Sequence, residues 1–441
     1  MPGLFDTLNM GARSLQVQQQ GIEVAGHNLA NVNNPAYARQ RVQLQTSYSL
    51  PTAVGPQGTG VQVVAIQQLR DALVDGQIVS EGSVGGYWQA QQRALQNAQA
   101  GLGEYLNGTG STSATPGTGV ATGLADEITG LFSAFQSVAT SPTSLADRQA
   151  LVFQGQALAT RFNQTAARLA SLEASLNASV STDVTAANKL LAEIASVNDA
   201  VARAELASGG VANDLRDLRQ QKLEELAKLV NIEAALAANG TVSVSIGGVA
   251  MVTDRNVLDT LETFDAGGGR LLVRAAAAGT PLLLTGGSIQ GSMDVRDGAL
   301  QTLRTDLDTL ASSLIAAVNA AHRPGYSLTG STGADFFTGT DAASLGVNTA
   351  LKDDPSLIQA AGVSGAVGGA RDLLRAAARV RSAVVLPRAR GRGRRDPARR
   401  HSLPRGCGPG AGRARREAAA AARRPAARAR RPSVRVLPSR G

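Results

Sequence analysis

Residues 1–370 of this 441-residue chain contain no cysteine; the single one is Cys407. A disulfide framework is therefore excluded from most of the chain. Histidine occurs only at His27, His322 and His401, too scattered for a zinc site. Aromatic residues make up 3% of the chain, with one tryptophan, which argues against an aromatic-lined ligand pocket. No apolar run reaches the ~18 residues of a membrane span, so no membrane insertion is expected. Asp6, Asn9 and Arg13 interrupt the stretch where a secretory signal keeps its unbroken apolar core, so no cleavable signal is expected. No lysine follows a glycine, which excludes a Walker A loop, and neither Gly-x-Ser-x-Gly nor His-Glu-x-x-His occurs. The Gly-Pro-Gln-Gly-Thr-Gly run at 55–60 reads as a turn rather than a dinucleotide fingerprint. No cofactor or metal is expected, and the chain does not read as an enzyme.

What is present is a body and a tail written in different alphabets. Residues 371–441 hold 22 arginines and three acids (Asp372, Asp396, Glu417), a charge of 22 − 3 = +19. The whole chain is +9, so residues 1–370 carry 9 − 19 = −10. The tail lacks Lys, Asn, Gln, Thr, Ile, Met, Phe, Tyr and Trp, all of which the body uses. It is expected to be disordered and non-native, as from a reading-frame shift near residues 367–370. Translating the alternative frames of the coding DNA tests this, and failure to find an amphipathic helix of roughly 30 residues would exclude it. Such an arginine-rich tail would bind phosphate in a salt-dependent way. It has no aromatics for base stacking and no nucleic-acid module, so no specific nucleic acid is expected as a partner.

The body predicts a mainly α fold with a smaller β part, elongated and multi-domain. Leu8, Leu15, Ile22 and Leu29 recur every seven residues, the seam of a helix that needs a partner helix. Asparagines and Pro35 end it, so residues 1–34 form a heptad helix with a stop. Residues 35–83 read as an extended connector with two short strands. Residues 84–235 read as a helical bundle, with Trp88, Leu95 and Leu102 in register and Asn213 as an N-cap. A polar Gly/Ser/Thr loop covers 107–122. Residues 236–296 read as a β-rich subdomain, including strands on either side of Gly247-Gly248. Residues 297–370 read as a return helix and loops, with Phe336-Phe337 as a buried anchor. His27 is read as a surface or capping residue rather than a general base. Asp214 and Asp217 are read as charges favoured at a helix N-terminus rather than as a catalytic carboxylate pair.

At Asn28-Leu29-Ala30-Asn31, followed by Pro35, Ala36 and Tyr37, the chain resembles the flagellar rod, hook and hook-associated proteins. Asn34 stands where that family has Thr, and Ala36 where it has Gly, which questions any left-handed turn there. The continuation through Ala38, Arg39, Gln40, Arg41 and Val42 is closest to the hook-associated branch. Gly58-Thr59-Gly60-Val61, Ile66, Arg70-Asp71, Ser141-Pro142 to Arg148-Gln149, the run 213–219, Asn319-Ala320-Ala321-His322, Gly325-Tyr326 and Asp335-Phe336-Phe337 extend the likeness over about residues 4–365. The resemblance implies a structural component joining hook to filament, at the extracellular flagellum. It implies type III export with a chaperone, self-assembly into a ring or tube layer, and contacts to hook protein and the adjacent hook-associated protein. It also implies a C-terminal helix packed on the first helix, and no such sequence follows Ala370. The seam is therefore expected to be exposed, and the chain to be assembly-defective. Another axial hook or rod protein, an arginine-rich nucleic-acid binder and an unrecognised enzyme are the alternatives; the helical run 123–232 disfavours the first.

Overall fold

The computed structural model describes residues 4–52, 55–102, 123–237 and 239–364. The expected loop at 107–122 and the arginine-rich tail lie outside the described residues.

The first helix, α1, spans Leu4–Ala30. A loop leads to β1 (Gln40–Thr46), β2 (Ser49–Thr52), β3 (Gly55–Gly58) and β4 (Val61–Gln68). β1 pairs antiparallel with β4, and β2 with β3 at the tip. α1 packs along β1 and β4. It uses Val17 and Val24, which are buried. These also lie seven residues apart, but about 200° around the helix from Leu15 and Ile22. α1 therefore carries two heptad stripes, and the hairpin covers the valine one.

Helix α2 spans Ala72–Leu102, so it begins well before residue 84 and takes up part of the expected connector. Asp71 starts it by accepting from the Leu73 N–H at 2.9 Å. Five glycines obscure the helical period of α2, and Gly86 among them has a packing role. A Cβ at Gly86 would collide with the Lys228 carbonyl of α5 (Asn213–Leu229). Glycine lets the two backbones meet.

α3 (Leu124–Thr140) and α4 (Leu145–Ser208) follow. The 64 residues of α4 make a rod of about 96 Å. Ser144 caps its start through the Asp147 N–H, and Gly209 at φ 64° ends it. α4 is the spine of two cores. Its first half packs with α3, and with Phe336, Phe337 and Leu314. Its second half packs Val184, Leu191 and Ile194 against α5 and the β region.

That region holds a four-stranded antiparallel sheet in the order β5 (Glu233–Leu236), β6 (Val242–Ile246), β7 (Val249–Thr253), β8 (Asn256–Val257). β9 (Leu261–Asp265) and β10 (Leu271–Ala275) form a separate pair. The stretch 281–284, inside the expected β-rich subdomain, makes only an isolated bridge at Pro281. The return helix starts earlier than residue 297: α6 (Gly287–Asp294) runs through a π-helical turn, Val295–Leu300, into α7 (Gln301–His322). Two short strands, β11 (Phe337–Thr338) and β12 (Gly346–Val347), and the helix α8 (Thr349–Asp353) complete the body.

Asparagines, half-buried on α4 and buried at Asn319 of α7, peg the irregular segments to these helices. Along α4, Asn163 donates to the Ala342 carbonyl at 2.8 Å and Asn177 to that of Gly269 at 2.8 Å. Asn188 exchanges two bonds with Leu261. On α7, Asn319 donates to Phe337 O and accepts from the N–H groups of both Phe336 and Phe337. Asparagine is a poor helix former because its amide competes for backbone. Here it bonds backbone from other segments instead.

His322 closes this end. Its Nδ1 donates to Ala334 O at 2.8 Å and its Nε2 accepts from the Gln359 N–H at 3.0 Å, so the ring is neutral. Burial, with Arg148 adding to it, pulls its pKa below the ordinary 6.5. The unfolded chain takes up a proton near pH 6.5 and the folded chain resists it. The stability from this histidine is therefore present above pH ~6.5 and declines as pH falls below it. The urea midpoint of the wild type is expected to fall between pH 7.5 and 5. The gap to His322→Gln should narrow over the same range; a constant gap would refute this role.

Candidate functional site

The turn that follows α1 is built on two asparagines. Asn31 donates to His27 O at 3.0 Å and extends the helix end. Asn34 accepts from the Ala36 N–H at 3.1 Å. Among the described non-glycine residues only Asp254 has a positive φ, so Ala36 makes this turn without left-handed backbone. The substitution of Ala for Gly is accommodated.

Asn28 then fixes the exit. Its amide donates to Gln40 O and its Oδ1 accepts from the Gln40 N–H, both at 2.8 Å. The Tyr37 hydroxyl donates to the same Oδ1 at 2.9 Å and meets His27 Nδ1 at 2.9 Å. Leu29 and Ala30 form the last turn of α1, and the Arg39 carbonyl accepts from the Leu69 N–H at 2.8 Å. Pro35, Tyr37, Ala38, Leu69, Arg70 and Val74 line a cleft of about 260 Å³ beside the turn.

The turn is bolted to the N-terminus of α5, about 180 residues later. Asp217 accepts from the Ala38 N–H at 2.9 Å and from Arg70 Nη1 at 2.6 Å. Arg70 also grips Asp75 through two bonds, at 3.0 and 3.1 Å. Gln40 donates to Asp214 at 2.8 Å, and His27 Nε2 lies 3.8 Å from the same carboxylate. Asn213 donates to Ile66 O, while its own carbonyl accepts from Gln68. The residue at the N-cap position is Ala212, so Asn213 is a cross-brace rather than the cap expected of it. Asp217 has the same bracing role, beyond any helix-dipole effect. His27 joins this cluster while keeping the exposed position read from the sequence. Only the Arg70-Asp71 and 213–219 family blocks hinted at it, and nothing in local pattern said that they meet.

The electrostatics hold the joint closed. Burial pushes the Asp217 carboxyl up, while the Ala38 N–H and Arg70 hold it back. Burial also works against the Arg70 charge, but bonds to Asp75 and Asp217 outweigh it and raise its pKa. Guanidinium stays charged in proteins, so the ionised pair stands. Burial and then the two aspartates raise the Tyr37 hydroxyl, which remains a donor. Asp217→Ala would orphan the Ala38 N–H and leave Arg70 with one partner. It is expected to loosen the joint by about 2 kcal/mol, roughly thirtyfold faster amide exchange at Ala38 and Gln40. Asp214→Ala, at an exposed site, should change it by less than about 1 kcal/mol. Equal effects from both would contradict the bracing role.

The seam itself faces outwards. Leu8 is 63% exposed, and Leu15, Ile22 and Leu29 are each 73% exposed. The site is thus a helix with one stripe seated on its own hairpin, its foot locked to the body, and its leucine stripe open.

Long helices sharing two cores, with such a stripe held out from them, define a mainly helical protein with an exposed heptad helix. Residues 117–337, half of the chain, match the family described as the flagellar hook-associated protein FlgK helical domain. The chain belongs to the FlgK family. Flagellar hook-associated protein 1 of Bacillus subtilis is 26% identical over 373 residues, covering 76% of this chain and 71% of that protein. The protein of the same name in Escherichia coli is 26% identical, over 79% of this chain and 63% of that one. The Salmonella typhimurium protein is 27% identical, over 75% and 59%. The chain thus spans about three-fifths of the length of these two enteric relatives. The solved structure of the flagellar hook junction protein FlgK from Burkholderia pseudomallei is 24% identical, with a TM-score of 0.49 over 61% of this chain and 46% of that one.

Proposed function

We propose that the chain is a structural, non-catalytic component of the bacterial flagellum that sits outside the cell at the hook–filament junction. Its partners are further copies of itself in a ring or tube layer, the hook protein and the adjacent hook-associated protein. It is exported through the flagellar type III apparatus with a chaperone. α1 is the assembly element. The observation that carries this reading is the leucine seam, which stays open while the opposite face of the same helix is seated and its foot is braced. An apolar stripe of this length left in water is stabilised by burial in an assembly. Head-to-tail packing of such elements builds tubes rather than closed dimers.

The reading is tested on hooks isolated from flagella that lack their own junction protein. Added chain carrying a gold label at its N-terminus should decorate the distal hook end, a result that would set aside the assembly defect expected from the sequence. Label spread evenly along the hook, or none, would contradict the proposal.

A further inference from the structure

The leucine seam is not the only open heptad stripe. On α2, Val74, Glu81, Trp88 and Leu95 also recur every seven residues. Val74 is 46% exposed, Trp88 60% and Leu95 44%, and Leu73 and Val84 beside them are open too. The opposite side of α2 buries Val79, Ala94 and Ala98 in the body. Both stripes contain four positions and span 21 residues, about 32 Å of helix. A shared seven-residue period is what lets two helices stay in contact through a left-handed supercoil. The α2 stripe also begins at the cleft beside the turn after α1, the elbow of the chain, since Val74 lines it. Elsewhere on the described surface the exposed large apolar side chains are scattered along different elements rather than repeated along one helix.

We propose that the α1 seam of one chain docks on the α2 stripe of a second copy, resting on the reading of α1 as the assembly helix. Within its own chain α1 is seated through Val17 and Val24 on β1 and β4, and its foot is tied to α5. The seam is consequently presented outwards. Repeated head to tail, each chain lending α1 to the next copy and receiving on its own α2, every contact would cover on the order of 1,000 Å² in total, the lower bound of a specific interface. Glu81 is the single polar position in the α2 stripe, and such a position selects register at some cost in stability.

Trp88 is the chain's one tryptophan, so it reports the acceptor face directly. Sedimentation velocity and acrylamide quenching are followed on the full chain across a concentration series. Association is expected to reduce the quenching constant roughly twofold as a half-exposed indole enters interface core. Ile22→Asp on the seam and Leu95→Asp on the acceptor should each abolish both signals while far-UV circular dichroism is unchanged. Association that is lost in Ile22→Asp but persists in Leu95→Asp with Trp88 still quenchable would overturn the α2 docking and leave α1 as the assembly helix. A chain that stays monomeric at every concentration overturns the docking. If that chain still decorates hook ends, the assembly reading survives without it.

Discussion

Asn198→Ala is expected to remove about 4 kcal/mol of stability, roughly 10 °C in melting temperature. Asn198 on α4 has no exposed surface. Its amide donates to Val242 O at 2.8 Å and Asp254 O at 2.7 Å. Its Oδ1 accepts from the Val242 N–H and from Arg219 Nη1, each at 3.1 Å. Alanine would leave three backbone groups without this partner and strip a bond from a buried guanidinium. Burial, then Arg216, have already lowered the Arg219 pKa to about 10, and its remaining bond on that nitrogen is to Gly240 O at 2.7 Å. Each orphaned buried polar group costs ~1–3 kcal/mol, and some of that is recovered by local relaxation. Urea unfolding followed by circular dichroism measures the loss. A change below about 1 kcal/mol would mean that the β region does not hang on this peg.

The double variant Leu15→Asp with Ile22→Asp should behave in the opposite way. Both positions are exposed, so the body should keep its stability to within about 0.5 kcal/mol. Burying two aspartates where two aliphatic side chains belong should cost at least about 4 kcal/mol per contact, roughly a thousandfold in affinity. Decoration of hook ends should then disappear. A variant that decorates as well as the wild type would remove the seam from the account. The seam and the asparagine peg thus separate assembly from folding: one variant is stable but cannot assemble, the other is destabilised.

The parts of this fold that follow a single period were legible in the sequence. The leucine seam, the long helical run and the strands flanking Gly247-Gly248 each repeat at 7, 3.6 or 2 residues; α4 lies within the run 123–232 and the strands stand on either side of the two glycines. The start of α2 was obscured because glycines interrupt the apolar period, Gly86 serving close backbone approach instead. α1 gave a subtler difficulty. Val17 and Val24 share the seven-residue spacing of the leucines, and period alone does not say which stripe is covered. The elbow was the least legible. Asn213, Asp214 and Asp217 look like ordinary helix-start residues, yet two of them bond to Ala38 and Gln40 across some 175 residues of chain. The asparagine pegs were missed for a related reason: a polar residue within a helix reads as surface until its partner segment is placed. The seam, by contrast, is open because nothing described in this chain repeats its period against it.

The central claim is that the open seam of α1 is the surface that disappears on assembly. Cysteine accessibility measures this most directly. In a Cys407→Ser background, a cysteine at position 22 should react with a maleimide as a fully exposed thiol in the free chain, and at least about tenfold more slowly once the chain is seated on hook ends. A cysteine replacing Leu206, the most exposed large apolar residue described, should label equally fast in both states. Slowed labelling at 22 but not at 206 is the result expected; unchanged labelling at 22 on decorated hooks would contradict the account.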